Sequence, residues 1–242
     1  MNAIKIESLT KRYRAVIAVD DLSLCIKEGE LFSLLGVNGA GKTTTIKMLS
    51  CLTSATSGDA FLLGKSISKD AAAVKSIIAV SPQETAIAPA LSVKENLELI
   101  CGVHGFTREK RDAKIQELTA LLGLEGVIKR KAGKLSGGWM RRLSIAMALI
   151  SEPKILFLDE PTLGLDVIAR SELWDLIRSL KGKITIVLTT HYMEEAEALS
   201  DRIAIMKDGK LLICDTAQNI KNAAESDDFE QAFIRIVKGV AK

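Results

Sequence analysis

Residues 31–44 read LFSLLGVNGAGKTT, and this stretch decides the fold. Leu31–Leu35 form a short continuous apolar run, the pattern of a strand buried on both faces. A glycine-rich turn follows, and TTTIKMLSCL (43–52) then reads as a helix. Between the two, GVNGAGKTT (Gly36–Thr44) fits G-x-x-x-x-G-K-[ST] in the strand–turn–helix context that this pattern requires. Glycines there let backbone N–H groups wrap around phosphate oxygens without Cβ clashes. The helix N-terminus adds partial positive charge. Lys42 is placed to reach β- and γ-phosphates, Thr43 to hold Mg²⁺, and Thr44 to hydrogen-bond a phosphate near the helix start.

Upstream of this stretch, IKIES (4–8) and DLSLCIKEGE (21–30) alternate in polarity and read as antiparallel strand material. Downstream, residues 84–150 turn helical. SVKENLELICGVHG places Val93, Leu97 and Ile100 on one face, and REKRDAKIQELTALLGL adds a second amphipathic segment. Strand-type runs return at KILFLDE (154–160) and ITIVLTT (184–190), separated by the helical ARSELWDLIRSL. Strands alternating with helices predict an α/β parallel sheet, with the helical middle inserted into it.

Composition agrees with a globular chain: 242 residues, 48% hydrophobic and 26% charged. A formal net charge of +3 gives no electrostatic footprint for nucleic acid. MNAIKIESLTKRY lacks the apolar run of a signal peptide, and no stretch approaches the roughly 18–20 apolar residues of a membrane span. The four cysteines (Cys25, Cys51, Cys101 and Cys214) have no paired spacing and are expected as small core residues in a reducing compartment.

Further residues carry chemistry by position. Asp159 ends an apolar strand, where the ligand crevice of an open parallel sheet lies, and is expected to support Mg²⁺. Glu160 follows and points differently, so it can polarise a water for attack on a γ-phosphate. His191, after ITIVLTT, is either a γ-phosphate contact or a turn residue before the helix MEEAEAL. Gln83, in AVSPQE, follows a strand-like stretch and is a candidate Mg²⁺ ligand. Tyr13 is either a purine-stacking ring or a half-buried strand aromatic. In KLSGGWMRRLSIAMAL (134–149), Ser136 reads as an N-cap, and Gly137-Gly138 leave backbone N–H groups uncovered, a second anion site. The tail DDFEQAFIRIVKG puts Phe229, Phe233, Ile236 and Val237 on one helical face, expected to dock on its own domain.

Taken in order, GVNGAGKTT, Gln83, LSGGW, ILFLDE, PTLGLD and His191 resemble the motif set of ATP-binding cassette (ABC) ATPases, over essentially the whole chain. The resemblance implies an α/β fold: a P-loop NTPase (RecA-like) core with an N-terminal antiparallel β-subdomain and an inserted helical subdomain. It implies one ABC ATPase domain over 1–242, with 1–83 and 151–242 as the core and 84–150 as the helical part carrying the signature LSGGW. The activity implied is ATP binding and hydrolysis by a separately encoded subunit of a transporter. SPQE, LSVKENLEL and THYMEEAEALSDRIAIM are most similar to the drug, antibiotic and sodium export branch. A soluble ABC ATPase apart from transport is the alternative.

The same resemblance implies ATP and Mg²⁺ as cofactors. Tyr13, Val19, Asn38, Gly39, Ala40, Gly41, Lys42, Thr43 and Thr44 would bind the nucleotide, and Thr43, Gln83 and Asp159 the metal. Glu160 and His191 would be catalytic. Ser136, Gly137 and Gly138 would reach the nucleotide of a second, head-to-tail ATPase subunit, identical or different, and Asp166 would link the two sites. A polytopic membrane permease is the implied partner, with no nucleic acid, and the implied location is cytoplasmic, on the inner face of the membrane. The chain departs from the family's common LSGGQ at Trp139, which can pack against the partner subunit, the helical insertion or the preceding KRKAGK.

Overall fold

The computed structural model describes residues 1–239, so the last three residues of the 1–242 span lie outside the described residues. The alternating N-terminal residues form a long hairpin, β1 (Asn2–Tyr13) and β2 (Val16–Lys27), in antiparallel register Ile4↔Ile26, Ile6↔Leu24 and Leu9↔Leu22. The strands are longer than IKIES alone predicts because register shifts let pairing run on to Tyr13↔Val16. Next come β3 (Leu31–Leu35), buried at every position, and α1 (Lys42–Leu49). This helix ends before Leu52: the Ser50 hydroxyl donates to the Ile46 carbonyl, and Cys51 turns left-handed at φ 55°. Strands β4 (Ser57–Leu62) and β5 (Lys65–Ser66) complete a four-stranded sheet of order β2-β1-β4-β5.

Helix α2 (Ala71–Lys75) leads into β6 (Ile78–Ser81). The helical region that follows holds α3 (Val93–Val103), α4 (Arg108–Leu121) and α5 (Gly137–Leu149), with two short 3₁₀ turns before α5. A reciprocal cap starts α3: the Ser92 hydroxyl accepts the Glu95 N–H, and the Glu95 carboxylate accepts the Ser92 N–H. The chain then alternates β7 (Ile155–Asp159), α6 (Val167–Leu180), β8 (Thr185–Thr190) and α7 (Met193–Leu199). It closes with β9 (Arg202–Lys207), β10 (Lys210–Asp215), α8 (Ala217–Ala223) and α9 (Phe229–Lys238).

The second sheet has the order β10-β9-β3-β8-β7-β6, parallel from β9 to β6, with β10 antiparallel at its edge. Three apolar clusters hold the layers. One joins the two sheets around α1 through Ile4, Leu22, Phe32, Ile46 and Phe157. A second joins the helical region to the parallel sheet, packing Val93, Leu97, Leu143 and Ile145 with Leu156, Leu158 and Ile186. The residues of 84–150 therefore share a core with the sheet that flanks them. The third packs Phe229 and Phe233 of α9 onto Ile203 and Ile205, so the tail's apolar face docks on its own chain. Cys101 alone of the cysteines is fully buried; Cys25, Cys51 and Cys214 are half-buried, and all four are free thiols.

Candidate functional site

Four parallel strands deliver functional residues at their carboxyl ends, as open α/β sheets do. The turn after β3 begins at Gly36, Gln83 follows β6, Asp159 ends β7, and His191 follows β8. Two glycines are fixed by the turn's geometry. A Cβ on Gly36 would lie 2.4 Å from the Met206 carbonyl oxygen, and one on Gly41 (φ +101°) 2.4 Å from that of Ala18. Lys42 folds back over the turn, its ammonium donating to the carbonyls of Gly36 (2.7 Å) and Val37 (3.3 Å). Burial holds the Lys42 pKa below that of a free lysine, with the Glu160 carboxylate partly opposing the shift.

Thr189 organises the two acids. Its hydroxyl donates to Asp159 Oδ1 (2.5 Å) and accepts the Glu160 N–H (3.0 Å). Asp159 Oδ1 also accepts from the Thr43 hydroxyl at 3.0 Å. Glu160 adopts φ 49°, a left-handed conformation that costs about 1–3 kcal/mol for such a residue and is held by these bonds. The turn sends its side chain away from Asp159: Oε2 lies 2.5 Å from His191 Nδ1, and Oε1 lies 3.5 Å from Lys42 Nζ. Both Lys42 and Glu160 are less than a tenth exposed, so the ion pair is screened little by solvent.

These groups border a cleft of about 790 Å³ lined by Tyr13, Val16–Ala18, Asn38–Thr44, Gln83, Glu160, Leu163, His191 and Asp208. Tyr13, the last residue of β1, stands 46% exposed at its edge, with Lys11 Nζ 4.9 Å from its ring centroid. Val19 is fully buried, its Cγ2 3.3 Å from where a Cβ on Gly41 would lie, while Val16, Ile17 and Ala18 line the cleft itself. The alternation of β2 turns Val19 toward the core between the sheets. The hydroxyl of Thr43, the carboxylate of Asp159 and the amide of Gln83 are hard oxygen donors of the kind Mg²⁺ takes, and the direct Thr43–Asp159 bond brings two of them together.

Ser136, Gly137 and Gly138 do not line this cleft. Ser136 occupies the N-cap position of α5, yet its hydroxyl makes no capping bond. A Cβ on Gly137 would lie 3.3 Å from Leu165, and one on Gly138 3.1 Å from Ala169. Asp166 caps α6 by accepting the Ala169 N–H at 2.9 Å, so it sits beside the same glycines. Trp139 packs within its own chain. It lies half-buried on the helical cluster with the Arg142 guanidinium 5.0 Å from its ring, and Arg142 reaches Glu172 (2.6 Å) and the Leu122 carbonyl (3.3 Å).

Several site residues escape sequence reasoning. Thr189 reads only as one more strand residue. Asp208 belongs to an Asp-Gly hairpin turn, and nothing local announces that this turn braces Gly36–Thr44 through Gly209 N–H to the Ala40 carbonyl (3.2 Å). Arg141 is buried on α5 and donates to the carbonyls of Pro82 (2.7 Å) and Gln83 (2.9 Å), pinning the backbone that carries Gln83. A lone arginine after Trp139 gives no sign of that reach.

A phosphate-cradling turn, a strand-end acid pair and a histidine on one parallel sheet define a P-loop nucleotide-binding protein. The family model described as ABC transporter matches residues 19–163, and the chain belongs to the ABC transporter family. Among curated proteins it is 42% identical over 222 residues to the Phospholipid-transporting ATPase ABCA3 of Homo sapiens, covering 90% of this chain and 13% of that protein. It is 36% identical over 240 residues to the Probable multidrug ABC transporter ATP-binding protein YbhF of Escherichia coli (strain K12), covering 97% of this chain and 41% of that one. The chain thus spans less than half the length of these relatives. Of solved structures, a dimeric ATP-binding cassette in a post-hydrolysis state bound to ADP and Pi aligns at TM-score 0.78 and 28% identity, over 88% of this chain and 98% of that one. The ATP-binding subunit of an ABC transporter aligns at TM-score 0.85 and 24% identity, over 97% and 99%, which speaks to the fold.

Proposed function

We propose that this chain binds ATP in the cleft after β3, hydrolyses it with Glu160 as the general base, and drives transport through a separate membrane-spanning partner. The observation that carries the reading is the Glu160 carboxylate held between His191 Nδ1 and Lys42 Nζ at the mouth of the phosphate turn. Lys42 and the backbone N–H groups of Asn38–Thr44 bind the phosphates. Tyr13 offers its exposed ring to the adenine. Thr43, Asp159 and Gln83 hold Mg²⁺, which when bound neutralises charge on the phosphate oxygens. Glu160 orients and deprotonates the attacking water, and His191 fixes the carboxylate that does so.

The signature residues complete the site of a second cassette. Ser136 has a hydroxyl free of capping duty, at the N-terminus of a thirteen-residue helix. It cannot serve its own cleft, so Ser136, Gly137 and Gly138 are read as binding the nucleotide of a head-to-tail partner, with Asp166 between the two sites. The dimeric arrangement named for the 28%-identical solved structure supports this reading. Among the described residues no helix is long and apolar enough to cross a membrane, so the path for substrate lies in another protein segment. The likeness to a multidrug and a phospholipid transporter supports a transport role, and the motif resemblance to export cassettes is the ground for reading it as export from the inner face of the membrane. Phosphate release from MgATP by the purified chain, together with copurification of a polytopic membrane protein, tests this; turnover without any membrane partner would favour the soluble ATPase reading.

A further inference from the structure

Glu195, on α7, is fully shielded from solvent. Its Oε1 accepts the Thr162 hydroxyl at 2.8 Å and the Trp174 indole N–H at 3.1 Å. Its Oε2 is the one buried side-chain polar atom among the described residues without a hydrogen-bond partner. A buried orphan oxygen is costly and calls for a reason. The places Glu195 ties together supply one. Thr162 lies two residues after Glu160, Trp174 lies on the helix that Asp166 caps, and α7 itself starts two residues after His191.

We infer that Glu195 is a positioning residue for hydrolysis: by binding Thr162 and Trp174 it locks the turn carrying Glu160 and the helix α6 onto the segment carrying His191. The inference rests on the hydrolytic reading of the cleft. A carboxyl serves here better than an apolar side chain of the same length, because Thr162 and Trp174 both need an acceptor in a dry pocket. Burial, reinforced by the Glu160 carboxylate, pushes the Glu195 pKa up, while the Thr162 and Trp174 hydrogen bonds oppose the shift. The Arg141 guanidinium on α5 interacts electrostatically with Glu195, and that of Arg170 on α6 lies over Trp174, 5.8 Å from its ring.

Steady-state ATP turnover by the chain carrying Glu195→Met, Thr162→Val or Glu195→Gln tests this. Methionine keeps length and removes both bonds, valine removes one, and glutamine keeps an acceptor. The expected result is a roughly ten-fold or larger fall in kcat for Glu195→Met, a smaller fall for Thr162→Val, KM for ATP within about two-fold, and recovery of most of the rate by Glu195→Gln. If Glu195→Met fails to fold, Thr162→Val decides alone. Wild-type kcat in the folded Met and Val variants, or losses confined to KM, would overturn the inference while leaving the hydrolytic reading intact. Absence of turnover by the wild-type chain would overturn both.

Discussion

His191 Nδ1 and Glu160 Oε2 stand 2.5 Å apart although 31 residues separate them along the chain. Their strands, β7 and β8, are parallel neighbours paired from Ile155↔Thr185 to Asp159↔Thr189, so both side chains emerge from the same sheet edge. The pairing brings His191 Nδ1 onto the carboxylate proposed as the base, on the wall of the same cleft as the phosphate turn. Replacing His191 with alanine should lower kcat by about 10²-fold, the usual scale for a general-base arrangement, with ATP affinity changed only a few-fold because Lys42 is untouched. A His191→Ala chain with unchanged kcat would separate the histidine from the chemistry.

The phosphate turn depends on Gly41 as much as on Lys42. Alanine there combines φ +101° with a Cβ 2.4 Å from a backbone oxygen that has no flexible end to yield. Gly41→Ala should therefore cost about 2–4 kcal/mol of stability and abolish nucleotide binding, read by thermal unfolding with and without ATP. Normal stability in this variant would mean that the Ala18 strand moves aside.

Much of this site is legible in the sequence because short-range patterns carry it. The buried run Leu31–Leu35, the glycine turn and the strand-end acids are local, and each needs only neighbours a few residues away. What stays hidden is long-range. The burial of Val19 between the sheets follows from its pairing with Lys11 on the neighbouring strand. Thr189, Arg141 and Asp208 gain meaning only when β8, α5 and the β9–β10 turn are brought to the cleft. For Trp139 the sequence leaves several packing surfaces open, and only the fold brings the Arg142 guanidinium to its ring.

That contact makes Trp139 a support for Arg142, which ties α5 to the end of α4 and to α6. Trp139→Gln should lower stability by about 1–2 kcal/mol through lost apolar packing and cation–π contact. For a chain of this size the melting temperature then falls by roughly 2–4 °C per kcal/mol. Turnover at a temperature where the variant is folded should stay near wild type; a large fall in kcat with no change in melting temperature would relocate the ring to a subunit interface.

Glu195 gives a pH dependence with a definite sign. Its pKa in the folded chain is raised above the ordinary 4.5, so its contribution to stability is fully present below that value and is lost as pH rises through the folded pKa. Glu195→Gln cannot ionise and escapes this loss. Its melting temperature should therefore gain on that of the wild type as pH climbs above about 4.5. A difference between the two chains that does not change with pH would mean that the carboxyl is ionised in the fold.

The central claim is that Glu160 activates water for attack on ATP bound in the cleft after β3. Glu160→Gln keeps the size of the side chain and its place beside His191 but removes the base. The most direct measurement follows ATP retention and phosphate release in parallel for wild-type and Glu160→Gln chains with Mg²⁺. The account predicts that the variant binds ATP and keeps it, with phosphate release lowered by about 10³-fold or more. Phosphate release by Glu160→Gln at the wild-type rate would contradict it.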